Sequence, residues 1–310
     1  MDQSNKTTVT NFILFGLSNV PHLQALYFSL VLIIYIVTVI GNTLVIATVS
    51  VNSQLHSPMY FFLSNLSSVD ILMSSSVVPK LLSNTLSSDK SITFLGCAVQ
   101  MYILGALAGT ELILLGIMAY DRYAAICHPL HYSTIMSKSS CLNLASGSWA
   151  VCFFCGTIHV YLTFHLPFCR SNQINQFFCE VPPLLHLSCK ETWLIELLVY
   201  AETGLIILSS FLLTLVSYVY IISAILKIST AKGKYKTFST CASHVMVVTL
   251  FYGNLLITYM QPSSNYSPER DRALSLLYTA VNPMLNPIIY SLRNNVFIAA
   301  LKKSFKKIPK

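Results

Sequence analysis

Two acidic side chains stand inside long apolar runs of this 310-residue chain. Asp70 lies in the middle of LSNLSSVDILMSS, and Glu111 lies in LGALAGTELILLG. A charged side chain at the centre of a bilayer costs about 2.5–3.5 kcal/mol, so such acids usually mark a functional cavity. If the two carboxyl groups share one cavity, they either bind a cation or one of them keeps its proton. A buried hydrogen-bond network without an ion is the alternative, and the sequence leaves both open.

Another acid and a base follow the run that contains Glu111. Asp121 and Arg122 come directly after ELILLGIMAY, where an apolar helix would reach the membrane surface. Arg122 can pair with Asp121 there, or it can turn toward another helix or a docked partner. An ion pair with two possible arrangements is the kind of bistable element that a switch requires. A static anchor at the membrane edge is the simpler interpretation, and it fits any lone arginine.

The composition indicates which elements position these groups. The chain is 54% hydrophobic and 10% charged, with mean hydropathy +0.64, whereas about a quarter of the residues in soluble domains are charged. A helix needs about 20 predominantly apolar residues to cross the hydrocarbon, and backbone polar groups there must be paired within each segment. The sequence therefore predicts an all-α membrane protein, a seven-transmembrane helix bundle followed by a short amphipathic helix. The predicted spans one to seven are residues 24–50, 58–80, 97–120, 140–163, 196–226, 238–260 and 272–292.

The basic residues predict how this bundle is oriented. The formal net charge is +8, and most of the excess falls in loops and a tail that share one side of the predicted membrane. This distribution follows the rule that cytoplasmic loops are rich in Lys and Arg. We therefore expect an extracellular tail over 1–23, the seven-transmembrane domain over 24–292, and a cytoplasmic amphipathic helix and tail over 293–310. Basic charge along a membrane edge suits anionic lipid better than nucleic acid.

Both ends of the chain carry a recognisable pattern. Asn5 begins an Asn-Lys-Thr sequon, so we expect glycosylation in the extracellular tail. After span seven, Phe297, Leu301 and Phe305 recur every four residues with lysines opposite. That spacing predicts an amphipathic helix along the inner leaflet.

Prolines and glycines predict where the spans bend. Pro283 and Pro287 each remove a backbone hydrogen bond, so span seven should kink in its inner half. Span six has no proline between Thr237 and Gln261. Gly253 is therefore expected to be its soft point.

The cysteines divide by predicted depth. Cys97, Cys169, Cys179 and Cys189 fall on the outer side, where disulfides form, and the other five fall within spans or at the inner face. Four cysteines allow three pairings, and their spacing does not choose between them. A bridge from Cys97 to the long loop 164–195 would fold that loop over the helix bundle.

The motifs of the common enzyme classes are missing from the sequence. It contains no HExxH, GxSxG, GxGxxG or P-loop motif. The eight histidines are scattered, and none pairs with an acid or cysteine at a spacing that favours a metal site. An ion or proton carrier that uses Asp70 and Glu111 is a second class. Against it, no internal repeat appears and no third acid continues the path.

Several motifs resemble those of a known family. Asp121-Arg122-Tyr123, with NPIIY at 286–290 in span seven, is similar to the rhodopsin-like G-protein-coupled receptors. Gly41-Asn42, Asp70 and Trp149 match further landmarks of that family. The olfactory receptor branch is indicated by LHSPMYFFL (55–63), MAYDRYAAICHPLHY (118–132), KTFSTCASH (236–244) and PMLNPIIYSLRN (283–294). The loop CRSNQINQFFCEVPPLLHLSC, together with Glu111, resembles the tetrapod-type (class II) receptors.

This resemblance implies roles for particular residues. Disulfides from Cys97 to Cys179 and from Cys169 to Cys189 are expected. Asp70, Glu111 and Asn286 would line a cavity for a sodium ion. The inner switch and G-protein-coupling surface would comprise Asp121, Arg122, Tyr123, Tyr218 and Tyr290, with His244 holding the inactive state. The family also implies a multi-pass glycoprotein of the plasma membrane that activates a stimulatory, olfactory-type heterotrimeric G protein and raises cAMP in olfaction.

The resemblance places an odorant among the outer thirds of spans three, five, six and seven. Most candidates there are apolar and a few carry hydroxyls, which suits a small volatile molecule with one polar group. Helix packing is the alternative for each of them, and Glu202 would give the mouth of the pocket an acidic character. A retinal-binding opsin would need a lysine in span seven, which 273–292 lacks. The candidate ligand-binding residues are Leu104, Gly105, Ala108, Thr203, Ile206, Tyr252, Leu255, Tyr259 and Thr279.

Overall fold

Helices occupy all seven predicted positions in the computed structural model. The structure describes residues 9–17, 21–169, 171–259, 268–292 and 295–306. Spans one to six are the helices Pro21–Val51, Pro58–Leu86, Phe94–Cys127, Lys138–Phe164, Trp193–Lys227 and Ala231–Tyr259. Span seven comprises Pro268–Leu276, the π-helical turn Leu277–Val281 and Asn282–Leu292, and the terminal helix is Asn295–Lys306. The predicted sequon residue Asn5 lies outside the described residues.

Length and hydropathy separate the spans into three groups. Spans one to five are each long and apolar enough to cross a membrane, and span six qualifies as a bent pair of helices. Span seven is divided by its π-helical turn, so no single helix there reaches the same length. The prediction of an all-α seven-helix membrane bundle is confirmed by these helices together with the family described below.

Span six bends near its beginning and not at Gly253. Its two parts, 231–239 and 241–257, meet at an angle of 45°. A Cβ atom added at Gly253 would meet nothing within 4 Å. The sequence predicted Gly253 as the soft point of this span, but the structure shows no bend at that residue.

Spans one and seven are joined where a proline disrupts span seven. Pro287 lacks the N–H group that would bond to the carbonyl oxygen of Pro283, four residues earlier. The side chain of Asn42 supplies the missing donor, because its Nδ2 lies 3.0 Å from that oxygen. Gly41 permits the close approach, since a Cβ there would lie 3.1 Å from Cγ of Pro287. In hydrocarbon, where water cannot satisfy the carbonyl group, such a bond stabilises the kinked helix.

Span three forms the centre of the bundle and carries most of the candidate site. Leu107, Leu114 and Leu115 are completely buried in the main core cluster, which extends over all seven spans. Spans two and four meet at a second polar contact, where Nε1 of Trp149 donates to Oδ1 of Asn65 at 3.2 Å. This contact and the hydrogen bond from Asn42 to Pro283 both place residues of the recognised motifs at helix interfaces.

A small sheet that the sequence did not predict covers one end of the bundle. Strand β1 (Asn11–Leu14) pairs antiparallel with β2 (Ser91–Thr93) and parallel with β3 (Gln173–Ile174). Buried side chains on the inner face of β1 pack into a second apolar cluster with the loop after span four. The sheet therefore ties the N-terminal tail and that loop to the start of span three.

The terminal helix packs against the bundle. Phe297 is buried, and its ring lies 6.5 Å from that of Tyr60 in span two. Nδ2 of Asn52 donates to Oγ of Ser304 at 2.9 Å. The predicted amphipathic helix is present, and its apolar face packs against the bundle through Phe297. The side chain of Phe305 lies outside the described residues.

We predict that Asn42 stabilises the fold specifically because Pro287 leaves a carbonyl group unpaired. Asn42→Ala should lower the free energy of unfolding by about 1–3 kcal/mol. In a Pro287→Ala background, residue 287 regains an N–H donor, so the cost of Asn42→Ala should fall below about 1 kcal/mol. Thermal unfolding of the detergent-purified protein measures this double-mutant cycle.

The exposed Asn143 of span four provides the control for that cycle. Asn143→Ala should leave stability within about 0.5 kcal/mol of wild type. An equal cost of Asn42→Ala in both backgrounds would contradict the proposed pairing.

Candidate functional site

The two intramembrane acids lie in one buried cluster with Asn286. Nδ2 of Asn286 donates to both carboxylate oxygens of Asp70, at 3.0 and 3.2 Å. Glu111 is buried beside them and interacts electrostatically with Asp70. Within the described chain, Oε1 of Glu111 is buried without a hydrogen-bond partner. The arrangement therefore brings together two carboxyl groups and one buried acceptor that lacks a donor.

Both carboxylate oxygens of Asp121, near the C-terminal end of span three, accept hydrogen bonds. Nη2 and Nε of Arg122 lie 2.7 and 3.1 Å from Oδ2 of Asp121. The hydroxyl of Tyr132 donates to the other oxygen, Oδ1, at 2.7 Å. Tyr132 lies in the short helix Tyr132–Ile135 between spans three and four, and sequence reasoning gave it no role. The position of Tyr132 inside the motif CHPLHY was the available signal.

His244 connects three spans near the same end. Its Nε2 lies 3.1 Å from the carbonyl oxygen of Leu115, which can only accept, so Nε2 carries a proton. In the neutral ring, Nδ1 then accepts from the hydroxyl of Tyr218 at 2.8 Å. The tyrosine and histidine rings also stack with centroids 5.7 Å apart. His244 is completely buried and links span six to spans three and five.

Two further residues of the predicted switch have different surroundings. The hydroxyl of Tyr290 is buried and has no hydrogen-bond partner in the described part of the chain. Tyr123 lies outside the core of this cluster, and its hydroxyl is 2.9 Å from Nε2 of His128. Among the described residues, the buried Tyr290 hydroxyl is therefore unsatisfied, whereas the Tyr123 hydroxyl has a hydrogen-bond partner.

A cavity of about 360 Å³ lies between spans five and six. Three of the predicted ligand-binding residues line it, namely Thr203, Tyr252 and Leu255. Its other lining residues are Tyr200, Gly204, Ile207, Leu208, Phe211 and Leu256. The residues of span five among these recur every three or four positions, so one helical face supplies most of the wall.

The remaining ligand candidates do not line this cavity. Leu104 is part of the main apolar core, and Ala108 and Ile206 pack against that core. Thr279 is completely buried, and its hydroxyl donates to the carbonyl oxygen of Ser275 at 2.7 Å. Gly105 is exposed at the surface of span three. The side chain of Tyr259 lies outside the described residues.

Helix rotation explains why sequence reasoning missed six of the nine residues that line the cavity. Gly109, one turn after Gly105, faces span four, where a Cβ would lie 2.9 Å from Sγ of Cys152. Glu202 also faces span four, where its carboxylate contacts Nε2 of His159. The expectation that Glu202 makes the pocket mouth acidic is therefore corrected. The four-residue spacing of Tyr200, Gly204 and Leu208 was the available signal.

The hydroxyl groups of the cavity wall connect to span three. Tyr252 donates to Oγ of Ser210 at 2.8 Å. Oγ of Ser210 in turn donates to the carbonyl oxygen of Leu112, the residue after Glu111. This chain of hydrogen bonds runs from the cavity wall to the backbone of span three through two side chains.

The loop between spans four and five closes over the same end of the bundle as the sheet. Its cysteines pair with Cα–Cα distances of 5.5 Å for Cys97–Cys179 and 5.8 Å for Cys169–Cys189. These are the two pairings that the family resemblance implies. Oε1 of Gln100 in span three also accepts from the backbone N–H of Cys179 at 2.9 Å. Covalent and hydrogen bonds thus fix the loop above span three.

Glu180 in this loop is an acid with an unusual environment. Burial and the negative charge of Asp271 raise its pKa to about 7, although a hydrogen bond from Gln176 acts in the opposite direction. Nε2 of Gln176 lies 3.3 Å from Oε1 of Glu180 and 3.0 Å from Oγ of Ser275 in span seven. Glu180 therefore binds a proton near neutral pH at the point where this loop meets span seven.

The fold and this site are those of a helical membrane protein with a polar core and an ion pair near one end of span three. The sequence profile described as "Olfactory receptor" matches residues 31–307. The chain is 49% identical to mouse olfactory receptor 5AP2, 46% to rat olfactory receptor 1f45 and 45% to human olfactory receptor 5AR1. These alignments cover 98–99% of this chain and 96–99% of the relatives.

The chain belongs to the olfactory receptor family. Members of this family are odorant-sensing G-protein-coupled receptors, so the protein is a multi-pass membrane receptor. Family membership confirms the prediction that the chain is not an enzyme.

We predict that Glu180 makes the loop less stable as the pH rises. Its pKa is about 7 in the folded protein and 4.5 ordinarily, so the folded state binds more protons between these values. Stability is then highest below about pH 4.5 and falls by about 1–3 kcal/mol as the pH rises to 7. Glu180→Gln should remove this dependence, as measured by the unfolding temperature of the purified protein between pH 4.5 and 8.

Glu191→Gln, at an exposed acid of the same loop, is the control and should keep the pH dependence. If Glu180→Gln and wild type show the same pH profile, the proton is not held at Glu180.

Proposed function

We propose that small volatile odorants bind in the cavity between spans five and six and so activate a stimulatory heterotrimeric G protein, raising cAMP. The observation that carries this proposal is the hydrogen-bond chain from Tyr252 through Ser210 to the carbonyl group of Leu112. A ligand that contacts Tyr252 acts on a residue that is linked to span three through Ser210 of span five. The cavity volume lies near the lower end of the range of about 300–1,000 Å³ for small-molecule sites, which favours small ligands.

The ligand acts by binding one arrangement of the helices better than the other. A differential affinity of a few kcal/mol is enough to shift such an equilibrium. The carbonyl groups of Leu112 and Leu115 lie one turn apart on span three, and they accept from span five and span six respectively. Movement of Tyr252 on span six therefore acts on the same helix that His244 holds one turn away.

The inner end supplies the elements of a switch. In this arrangement Arg122 is paired with Asp121, and Tyr218 is paired with His244. Displacement of span six would free the Tyr218 hydroxyl while the Tyr290 hydroxyl still lacks a partner. We expect Arg122, Tyr218 and Tyr290 to exchange contacts then, opening a cleft for the G protein.

The position of the disulfides supports an extracellular N-terminus at the plasma membrane. Strand β1 of the N-terminal tail lies in one sheet with residues next to Cys97 and Cys169. Disulfides form in oxidising compartments, so this end faces outward. Lys227 at the end of span five and Lys232 in the first turn of span six lie at the opposite end, where cytoplasmic lysines meet anionic lipid.

We further propose that Asp70, Glu111 and Asn286 hold a sodium ion. Oε1 of Glu111 is a buried oxygen that receives no hydrogen bond from the residues the structure describes, and the carboxyl groups of Glu111 and Asp70 interact. A hard monovalent cation fits an all-oxygen donor set of this kind, and it would offset the negative charge that two buried acids share. The amide of Asn286 would orient Asp70 toward it.

The receptor proposal is tested with a cAMP reporter in cells against a chemically diverse odorant panel. At least one odorant should raise cAMP, and Arg122→Ala should reduce that response at least tenfold because the switch loses the guanidinium group that pairs with Asp121. Lys138→Ala removes an exposed positive charge at the same end and should respond like wild type. An undiminished response of Arg122→Ala at equal surface expression would refute the role of Arg122.

The sodium proposal is tested by thermal unfolding of the purified receptor in NaCl and in choline chloride at equal concentration. Sodium should raise the unfolding temperature by about 2–4 °C. Glu111→Gln should abolish this difference, whereas the exposed Glu191→Gln should retain it. Equal unfolding temperatures of wild type in the two salts would contradict the sodium site.

A further inference from the structure

The outer face of the bundle is closed by the loop between spans four and five. Phe177 and Phe178 are almost fully buried and belong to the main core cluster. The ring of Phe178 meets the edge of Tyr278 in span seven at 6.2 Å. The neighbouring Gln176 bonds to Ser275, and Cys179 is bonded to Gln100 and Cys97. Among the described residues, the loop therefore reaches from span three to span seven and covers the end of the bundle between them.

The cavity between spans five and six opens sideways instead. Leu208 and Leu256 line the cavity and are 53% and 55% exposed, on faces that point away from the helix bundle. Tyr252 at its inner wall is only 6% exposed. In a spanning helix bundle such outward faces meet lipid. The cavity thus has a mouth toward the bilayer and an end inside the protein.

The lining suits a lipophilic molecule with one polar group. Aliphatic and aromatic side chains form most of the wall, and hydroxyls come from Tyr200, Thr203 and Tyr252. Tyr252 already donates its proton to Ser210, so its oxygen is left to accept from a ligand hydroxyl. A molecule of this kind partitions into the bilayer, where it would meet the mouth of the cavity at high local concentration.

We propose that ligands reach the cavity from the lipid phase, through the gap between spans five and six and past Gly204. The ligand class is a small aliphatic or aromatic compound with a single hydroxyl or carbonyl group. What ligand binding achieves rests on the proposed function above, but the route of entry does not. The lateral opening is a property of the helix arrangement in this structure.

Gly204 offers a direct way to block this mouth. It lines the cavity one turn from both Tyr200 and Leu208, and a Cβ added to it would meet nothing within 4 Å. A large side chain can therefore enter the mouth without displacing the backbone. Gly147 in span four is a matched control, because it is exposed and a Cβ there also meets nothing within 4 Å.

The test uses a photoreactive diazirine analogue of octanol, incorporated into lipid nanodiscs that contain the purified full-length receptor. After illumination, mass spectrometry locates the labelled residues. Wild type should be labelled at Tyr252 and Leu255, deep in the cavity. Gly204→Trp should reduce that labelling at least fivefold, whereas Gly204→Ala and Gly147→Trp should not. Labelling of Leu205, which is 68% exposed beside Gly204, reports lipid contact and should be equal in all variants.

Three results would overturn the proposal. Labelling of Tyr252 that survives Gly204→Trp would mean that the probe arrives by another route. Equal labelling of Tyr252 by a phospholipid with a diazirine in its acyl chain would identify the cavity as a lipid site. Absence of label at Tyr252 in wild type, with Leu205 labelled, would mean that the mouth is closed. Each readout is chemical, so a failure of cAMP signalling alone would leave the route of entry standing and would refute only the proposed function.

Discussion

The hydrogen bonds of one buried histidine hold the inner halves of three spans together. His244 donates to the carbonyl group of Leu115 on span three and accepts from Tyr218 on span five. A backbone carbonyl group of an intact helix is already bonded once, so Leu115 loses little when His244 leaves. Tyr218, however, loses its partner next to the fully buried His244, where an unpaired hydroxyl is costly. The same interaction therefore stabilises the arrangement of the helices seen here. Its loss would leave the Tyr218 hydroxyl in need of another hydrogen-bond partner.

The polar groups of the bundle form a column along span three. The carbonyl group of Leu112 accepts a hydrogen bond from the cavity wall, and Glu111 lies beside Asp70 and Asn286. Further along span three, the carbonyl group of Leu115 accepts from His244. Asp121 forms an ion pair with Arg122 at the end of the column. Each contact is a discrete hydrogen bond or ion pair in a densely packed core, and such contacts rearrange between distinct states instead of deforming gradually. Under the proposed function, a ligand at one end and a G protein at the other would bias the same equilibrium, which is what coupling between sites requires.

The sequence was sufficient for the spans because hydrocarbon imposes strict demands on length and hydropathy. It also placed Asp70 on span two, and Glu111 and Arg122 on or at the end of span three, since polar residues in a membrane are conspicuous. It did not predict the sheet, because Asn11–Leu14 pairs with strands about 80 and 160 residues away, and a short apolar stretch does not specify such partners. It did not distinguish Gly105 from Gly204 either. Which glycine faces a cavity depends on helix rotation, and packing sets that rotation.

Basal signalling of His244 variants tests the central claim most directly, namely that His244 holds the closed arrangement. In cells that express a cAMP reporter, His244→Ala should raise ligand-free cAMP severalfold per receptor at the surface. His244→Gln retains one donor and one acceptor, and its basal signal should lie between those of His244→Ala and wild type. Basal cAMP of His244→Ala at or below the wild-type level, at equal surface expression, would contradict the account.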